Sequence, residues 1–171
     1  MRLSFDEITG KIDRFSITDS HWFPSTEEYS VIVATADISV SRKDYQTATL
    51  KGVIDCTLRS LCDRCGEFFE ENLQSDFVYL ITVRPEGTVA GAEQECSEED
   101  VLTLYLVEPI IEVDQILTEQ ALLTVPLKKV CSEDCKGICP GCGMFLNRES
   151  CRCSNDRNDS PFAVLKKLKK Q

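Results

Sequence analysis

The sequence predicts an α+β fold: a mainly antiparallel β-sheet carrying one packed helix, then a cysteine-rich segment and a short terminal helix. Three observations predict it. Between Val31 and Val83 apolar and polar residues alternate with a period of two, the signature of half-buried strands. From Asp114 to Thr124 the spacing becomes helical. Finally, Cys131 to Cys153 holds six cysteines in 23 residues and few large apolar side chains, so that segment cannot build an ordinary core.

The strands read in order. Ile32, Ala34, Ala36, Ile38 and Val40 supply an apolar face against Thr35, Asp37, Ser39 and Ser41. Arg42-Lys43-Asp44 makes a polar turn, after which Ala48, Leu50, Gly52, Ile54, Cys56 and Leu58 repeat the pattern. A return strand follows, with Phe69, Leu73, Phe77, Tyr79, Ile81 and Val83 on one face. The turn chemistry of Cys62-Asp63-Arg64-Cys65-Gly66 lies between these two strands, which puts the first cysteine pair at a hairpin tip. Cys56 falls on the apolar face and reads as core.

Beyond this hairpin, residues 86–100 contain six acids and no Lys or Arg, so they read as a solvated connector, with Cys96 an incidental thiol. Glu98-Glu99-Asp100 is solvated charge, since nothing apolar nearby would raise a carboxyl pKa. Val101 to Ile111 has the apolar content of one or two further strands. The helix over 114–124 sets Ile116, Leu117, Gln120, Ala121 and Leu123 or Thr124 toward the sheet, and Pro126 stops it. In the tail, Ser160-Pro161 makes a helix start, followed by Phe162, Leu165 and Leu168 on one face with Lys166, Lys167, Lys169 and Lys170 around it. The chain thus divides into an acidic β-rich domain (1–125), a cysteine-rich metal-binding segment (126–153) and a basic amphipathic tail (154–171).

Composition removes several classes of function. With 171 residues the chain can bury about two thirds of its unfolded surface without covalent help. No apolar run approaches the ~18 residues a membrane span needs. The N-terminus meets acids, Asp6 and Glu7, before any apolar stretch could act as a secretory segment, so the sequence predicts a cytoplasmic protein with reduced thiols. His21 is the single histidine. That excludes the two-His metalloprotease motif and removes most other His-dependent catalysis, Ser-His-Asp and Cys-His arrangements included, from consideration, so the expectation is a binding protein and not an enzyme. Beside Trp22 and Phe23, His21 reads as a packed or loop residue.

The net charge of −10 hides a split. Residues 1–125 carry 9 Lys/Arg against 24 Asp/Glu, or −15, and residues 126–171 carry 10 against 5, or +5. An acidic body suits basic proteins, while the basic end is where phosphate contact would be sought. A zinc ion held by four thiolates has a formal charge of −2, which erodes that +5.

Cysteine spacing carries the sharpest signal: Cys62-x2-Cys65, then Cys131-x3-Cys135-x3-Cys139-x2-Cys142-x8-Cys151-x-Cys153. Two residues between thiols and a glycine after the second let both sulfurs converge on one ion while backbone N–H groups point at them. Cys62–Cys65–Gly66 and Cys139–Cys142–Gly143 both have this form, and eight cysteines make two tetrahedral sites, predicting two structural zinc ions. Two pairings satisfy the spacing. In the favoured one Cys139, Cys142, Cys151 and Cys153 form a local set, leaving Cys131 and Cys135 for the distant Cys62 and Cys65. In its rival Cys131, Cys135, Cys139 and Cys142 combine, and Cys62/Cys65 must find Cys151/Cys153. A thiol redox switch is a weaker reading, because thioredoxin-like CxxC motifs open a helix. Disulfide scaffolding would need an oxidising compartment, and iron–sulfur runs have other spacings.

Several stretches together resemble one family. They are Leu61 to Phe68, Val125-Pro126-Leu127-Lys128, Cys131 to Gly143 with Leu146-Asn147, and Asp159 to Leu168. The chain from residue 30 onward is similar to the bacterial YceD family, the large ribosomal RNA subunit accumulation proteins; residues 1–29 and 86–100 carry no matching motif. The resemblance implies a non-enzymatic role in synthesis, processing or stability of large-subunit (23S) rRNA, and implies a gene that lies beside the one encoding a small zinc-binding ribosomal protein of the large subunit. It also implies that the site using Cys62, Cys65, Cys131 and Cys135 is the older element and the Cys139–Cys153 module an addition. Two partners follow as expectations: precursor rRNA, met by the zinc hairpin and Lys166, Lys167, Lys169 and Lys170, or a basic ribosomal protein, met by the acidic body.

Overall fold

Alternating side chains force long strands here, and they form in a computed structural model that describes residues 1–84 and 102–153. Strands β1 (Arg2–Ser4), β2 (Asp13–Ile17), β3 (Tyr29–Arg42), β4 (Thr47–Leu61), β5 (Phe68–Val83), β6 (Thr103–Leu106) and β7 (Ile110–Glu112) precede a single described helix, α1 (Val113–Thr124). The main sheet has the order β2-β3-β4-β5-β6, and β1 pairs with β7 in a separate two-stranded ribbon. Every pairing is antiparallel except β5 with β6, which is parallel, so the sheet is mixed.

One face of the sheet is the core. Ala34, Ala36, Ile38 and Val40 from β3, Leu50, Ile54 and Leu58 from β4, and Phe77 and Ile81 from β5 are all buried there. Helix α1 covers them with Val113, Ile116, Leu117, Gln120 and Ala121. Leu123, the other candidate for the inner face, is 76 % exposed, because it lies two residues from Ala121 and so on the far side of the turn. Asp114 in the first turn suits the helix dipole. At the other end Val125 is already extended, as a residue before proline must be. Thr118 ties the helix to the loop between β2 and β3 by donating to the Trp22 carbonyl at 2.7 Å, and buried Trp22 donates from Nε1 to the Asp19 carbonyl at 2.7 Å.

Residues 1–29, featureless by motif, contribute β1, β2 and part of the core through Leu3, Phe5, Ile8, Ile17, Trp22 and Phe23. A short period-two signal was present in Asp13-Arg14-Phe15-Ser16-Ile17. The predicted acidic connector lies outside the described residues, as do Cys96 and the tail helix with Lys166, Lys167, Lys169 and Lys170.

One assignment in β3 is corrected. Ile32 does not share the buried face with Ala34: it is 50 % exposed. The register with β4 shifts between Val31 and Val33, a bulge that leaves Ile32 the extra residue and swaps faces upstream of it. Ile32→Thr should therefore change stability by no more than about 0.5 kcal/mol. Ile38→Ala, on a side chain 3 % exposed, should cost about 2–4 kcal/mol. Urea titration of both variants checks this, and equal losses would contradict the bulge.

Candidate metal centres

The β4–β5 hairpin turns through a tight knuckle. The Cys62 N–H donates to the Glu67 carbonyl at 2.9 Å and the Gly66 N–H to the Cys62 carbonyl at 2.8 Å, with Gly66 at φ 70°. The same turn recurs farther along: the Cys139 N–H donates to Met144 O and the Gly143 N–H to Cys139 O, both at 2.8 Å, with Gly143 at φ 73°. Positive φ explains the glycine after each CxxC, since a Cβ would make that conformation costly. In each knuckle the chain reverses so that both sulfurs face one point.

A second strand of chain closes on the first knuckle. Asp63 and Lys129 grip each other's backbone: Asp63 N–H donates to Lys129 O at 2.8 Å and Lys129 N–H to the Asp63 carboxylate at 2.7 Å. The Lys129 side chain is buried, its ammonium 2.9 Å from Glu28, and this partner holds its pKa above the ordinary lysine value. Arg64 donates to the carbonyls of Glu133 at 2.8 Å and Cys135 at 2.9 Å. Cys131 and Cys135 are thereby delivered to Cys62 and Cys65, 66 or more residues away in sequence.

The outcome is two four-sulfur clusters. Cys62, Cys65, Cys131 and Cys135 lie within 4.8 Å of one another, and so do Cys139, Cys142, Cys151 and Cys153. This is the arrangement the spacing favours, and the rival local set does not form. In the first cluster the Cys62–Cys135 and Cys65–Cys131 sulfur separations are 3.8 and 3.9 Å. Four sulfurs placed about 2.3 Å from a central ion would lie about 3.8 Å apart, so this cluster already has the dimensions of a tetrahedral zinc site. The second is slightly tighter, at 3.5 Å for Cys142–Cys151 and 3.3 Å for Cys139–Cys151. Both donor sets are compatible with zinc.

Hydrogen-bond donors surround the sulfurs as anions require. The N–H groups of Cys131, Gly141 and Cys153 approach the sulfurs of Cys62, Cys139 and Cys151 at 3.4, 3.4 and 3.2 Å. Burial pushes the Cys62 thiol up, but the N–H groups of Cys131, Cys65 and Arg64 outweigh it and bring it down to about 6. Cys139 is lowered to about 6 by the N–H groups of Cys142 and Gly141. Crowding by neighbouring thiols works the other way, raising Cys131 and Cys153 to about 12, with Cys135 and Cys151 the largest respective causes. Each cluster so favours an anion while opposing a full set of bare thiolates, the condition that a divalent cation relieves. Cys56 is buried away from both, and burial raises its thiol to about 11.

The clusters differ in setting. Cys62, Cys65 and Cys135 are buried and packed with Phe69 and Val130, so the first belongs to the sheet. In the second, Cys139 is buried while Cys142 and Cys153 are exposed. Asn147 joins them: its Nδ2 donates to the Cys135 sulfur at 3.2 Å, and its Oδ1 accepts from Lys136 N–H at 2.7 Å. The sequence places Asp63 and Arg64 in the turn and Asn147 in the family motif but gives none of them, nor Lys129, a part in holding the sulfurs, because polar residues near cysteines carry no spacing rule. His21 takes no part: it is exposed, between Asp19 and Asp114, and hydrogen bonds to both raise its pKa.

Among the described residues no helix is long and apolar enough to cross a membrane. No solved structure is significantly similar to this fold. A chloroplastic protein of Arabidopsis thaliana named large ribosomal RNA subunit accumulation protein YCED homolog 1 is 26 % identical over 142 residues, covering 71 % of this chain and 44 % of its own length. Its Zea mays namesake is 27 % identical over 139 residues, 68 % of this chain and 47 % of its own. This chain thus spans less than half of each plant relative. An uncharacterized protein of Mycobacterium bovis is 36 % identical over 59 residues, 34 % of this chain and 28 % of its own. The family model described as large ribosomal RNA subunit accumulation protein YceD matches residues 50–169, a span that contains all eight clustered cysteines. With more than half of its length matched, the chain belongs to the YceD family.

Proposed function

We propose that this protein is a non-enzymatic, cytoplasmic factor supporting the synthesis, processing or stability of large-subunit (23S) rRNA, with structural zinc in both thiolate clusters. The observation that carries the reading is the family match across residues 50–169, which includes both clusters. A zinc ion there would supply cross-linking and charge neutralisation. Four cysteines complete a tetrahedron, leaving no position for a substrate, so this donor chemistry fits a structural site. Cys62 and Cys65 would fix one end of the link, Cys131 and Cys135 the other, and Asn147 would orient the sulfur of Cys135.

Depleting the protein in its source organism tests the role. Mature 23S rRNA should fall relative to 16S rRNA and recover with the wild-type chain but not with Cys65→Ser. Unchanged 23S levels would overturn it.

Charge favours a second reading for the direct contact. The −15 of residues 1–125 opposes phosphate and suits a basic ribosomal protein, which the chain would hold before RNA takes it. Salt titration separates the two: contact with several phosphates gives a steep loss of rRNA affinity with salt. Capture of basic ribosomal proteins with no rRNA binding at low salt favours the second.

A further inference from the structure

Strand β5 is 16 residues long, yet β6 pairs only with Leu80 to Val83. From Phe68 to Tyr79 one edge of β5 has no strand partner among the described residues. The flanking hydrogen bonds show which backbone groups that edge displays. Leu80 N–H donates to Leu102 O at 3.0 Å and Arg84 N–H to Leu106 O at 2.8 Å, on the β6 side, whereas Val83 N–H goes to Gln46 O on the β4 side. Register with β4 is unbroken from Thr82 to Phe68. The amides of Glu70, Asn72, Gln74, Asp76 and Val78 therefore point outward in a row.

Natural sheets blunt such an edge with lysine, proline, a bulge or a short strand. None of these occurs here: the stretch lacks Lys and Pro, and its pairing with β4 has no register shift. What it carries is acid. Residues 66–83 hold Glu67, Glu70, Glu71 and Asp76 and no Lys or Arg. Glu67 is paired with Arg148 and Glu71 accepts from Ser60, but Glu70 and Asp76 are exposed with no ion-pair partner among the described residues.

We propose that the β5 edge takes up an extended, lysine- or arginine-rich polypeptide segment by strand addition. Main-chain hydrogen bonds to the outward amides and carbonyls supply affinity, and Glu70 and Asp76 select basic residues on the outer face. The inference deepens the reading of the chain as an acidic binding module and rests on it.

The test uses the full purified chain and a peptide of alternating lysine and valine, with a glutamate–valine peptide as control. The basic peptide should bind in low salt and the acidic one should not. N-methylating one alternate set of peptide amides should weaken binding by at least about tenfold, and methylating the other set should leave it unchanged, since only one set faces β5. Gln74→Pro removes an N–H that the sheet does not use, so it should fold, as far-UV circular dichroism would show, and bind at least about tenfold more weakly. Gln74→Ala keeps the N–H and should bind normally. If both methylated peptides bind like the parent, charge alone recruits them: the edge is wrong and the acidic-module reading stands. If no basic peptide binds, or an rRNA fragment binds in its place, both fail.

Discussion

Cys65→Ser should empty one of the two four-cysteine clusters of metal and remove much of the protein's stability. Wild-type chain purified without oxidation should contain two zinc ions, one per four-cysteine cluster, and Cys65→Ser should retain one. Cys139→Ser should also retain one, but the consequences should differ. Cys65 is buried at the tip of the hairpin formed by β4 and β5, and its cluster joins that tip to the chain from residue 129 onward. Structural zinc contributes apparent binding free energies of about 10–16 kcal/mol in small metal-dependent folds. Asp63, Lys129 and Arg64 keep part of the docking without metal, so a smaller loss, on the order of 3–5 kcal/mol, is expected from Cys65→Ser. Cys139 serves a cluster at the exposed end, and its loss should melt residues 136–153 while leaving the main transition of the sheet nearly unchanged. Elemental analysis with thermal unfolding of both variants measures this. Wild-type protein without metal, or two variants that each lose both ions, would sink the assignment.

Much of that asymmetry was legible in the amino-acid sequence. Period-two alternation sufficed for β3, β4 and β5 because each buries one face, so every second residue reports its side. The two CxxCG elements announced the knuckles because positive φ and converging sulfurs demand those residues. Illegible features were those that depend on distant partners. The bulge at Ile32 is set by register with β4 and leaves no mark in a run of alternating residues. The parallel pairing of β6 arises after the chain has passed through residues 85–101, and no local pattern of Thr103–Leu106 distinguishes it from an antiparallel strand. Nothing local marks Lys129, whose side chain is buried and whose ammonium meets Glu28, 101 residues earlier in the chain. Pairing of Cys131 and Cys135 with the distant hairpin was a preference from spacing, and it is the Asp63–Lys129 clasp and Arg64 that make it physical.

Gly137 is where the two clusters depend on one backbone position. It lies two residues from both Cys135 and Cys139, at φ 72°, and its carbonyl accepts from Leu146 N–H at 3.0 Å. Its N–H is also directed at the Cys135 sulfur. A Cβ there would sit 2.7 Å from the Arg64 carbonyl oxygen and 3.3 Å from the carbonyl carbon, atoms of the knuckle itself that cannot swing aside. Gly143 offers an internal control, since it has φ 73° with nothing within 4 Å of an added Cβ. Gly143→Ala should thus lose only the conformational term, about 1–2 kcal/mol. Gly137→Ala adds a backbone collision and should cost about 3–4 kcal/mol, lowering the melting temperature by roughly 6–16 °C in a chain of this size. The collision also pushes residues 136–139 away from Arg64, so Gly137→Ala should loosen metal at both clusters, seen as faster zinc release to a chelator, whereas Gly143→Ala should speed release from the second alone. Equal melting temperatures for the two variants would mean that the Cys139–Cys153 module does not pack against the hairpin tip, and the two clusters would then be independent beads on one chain.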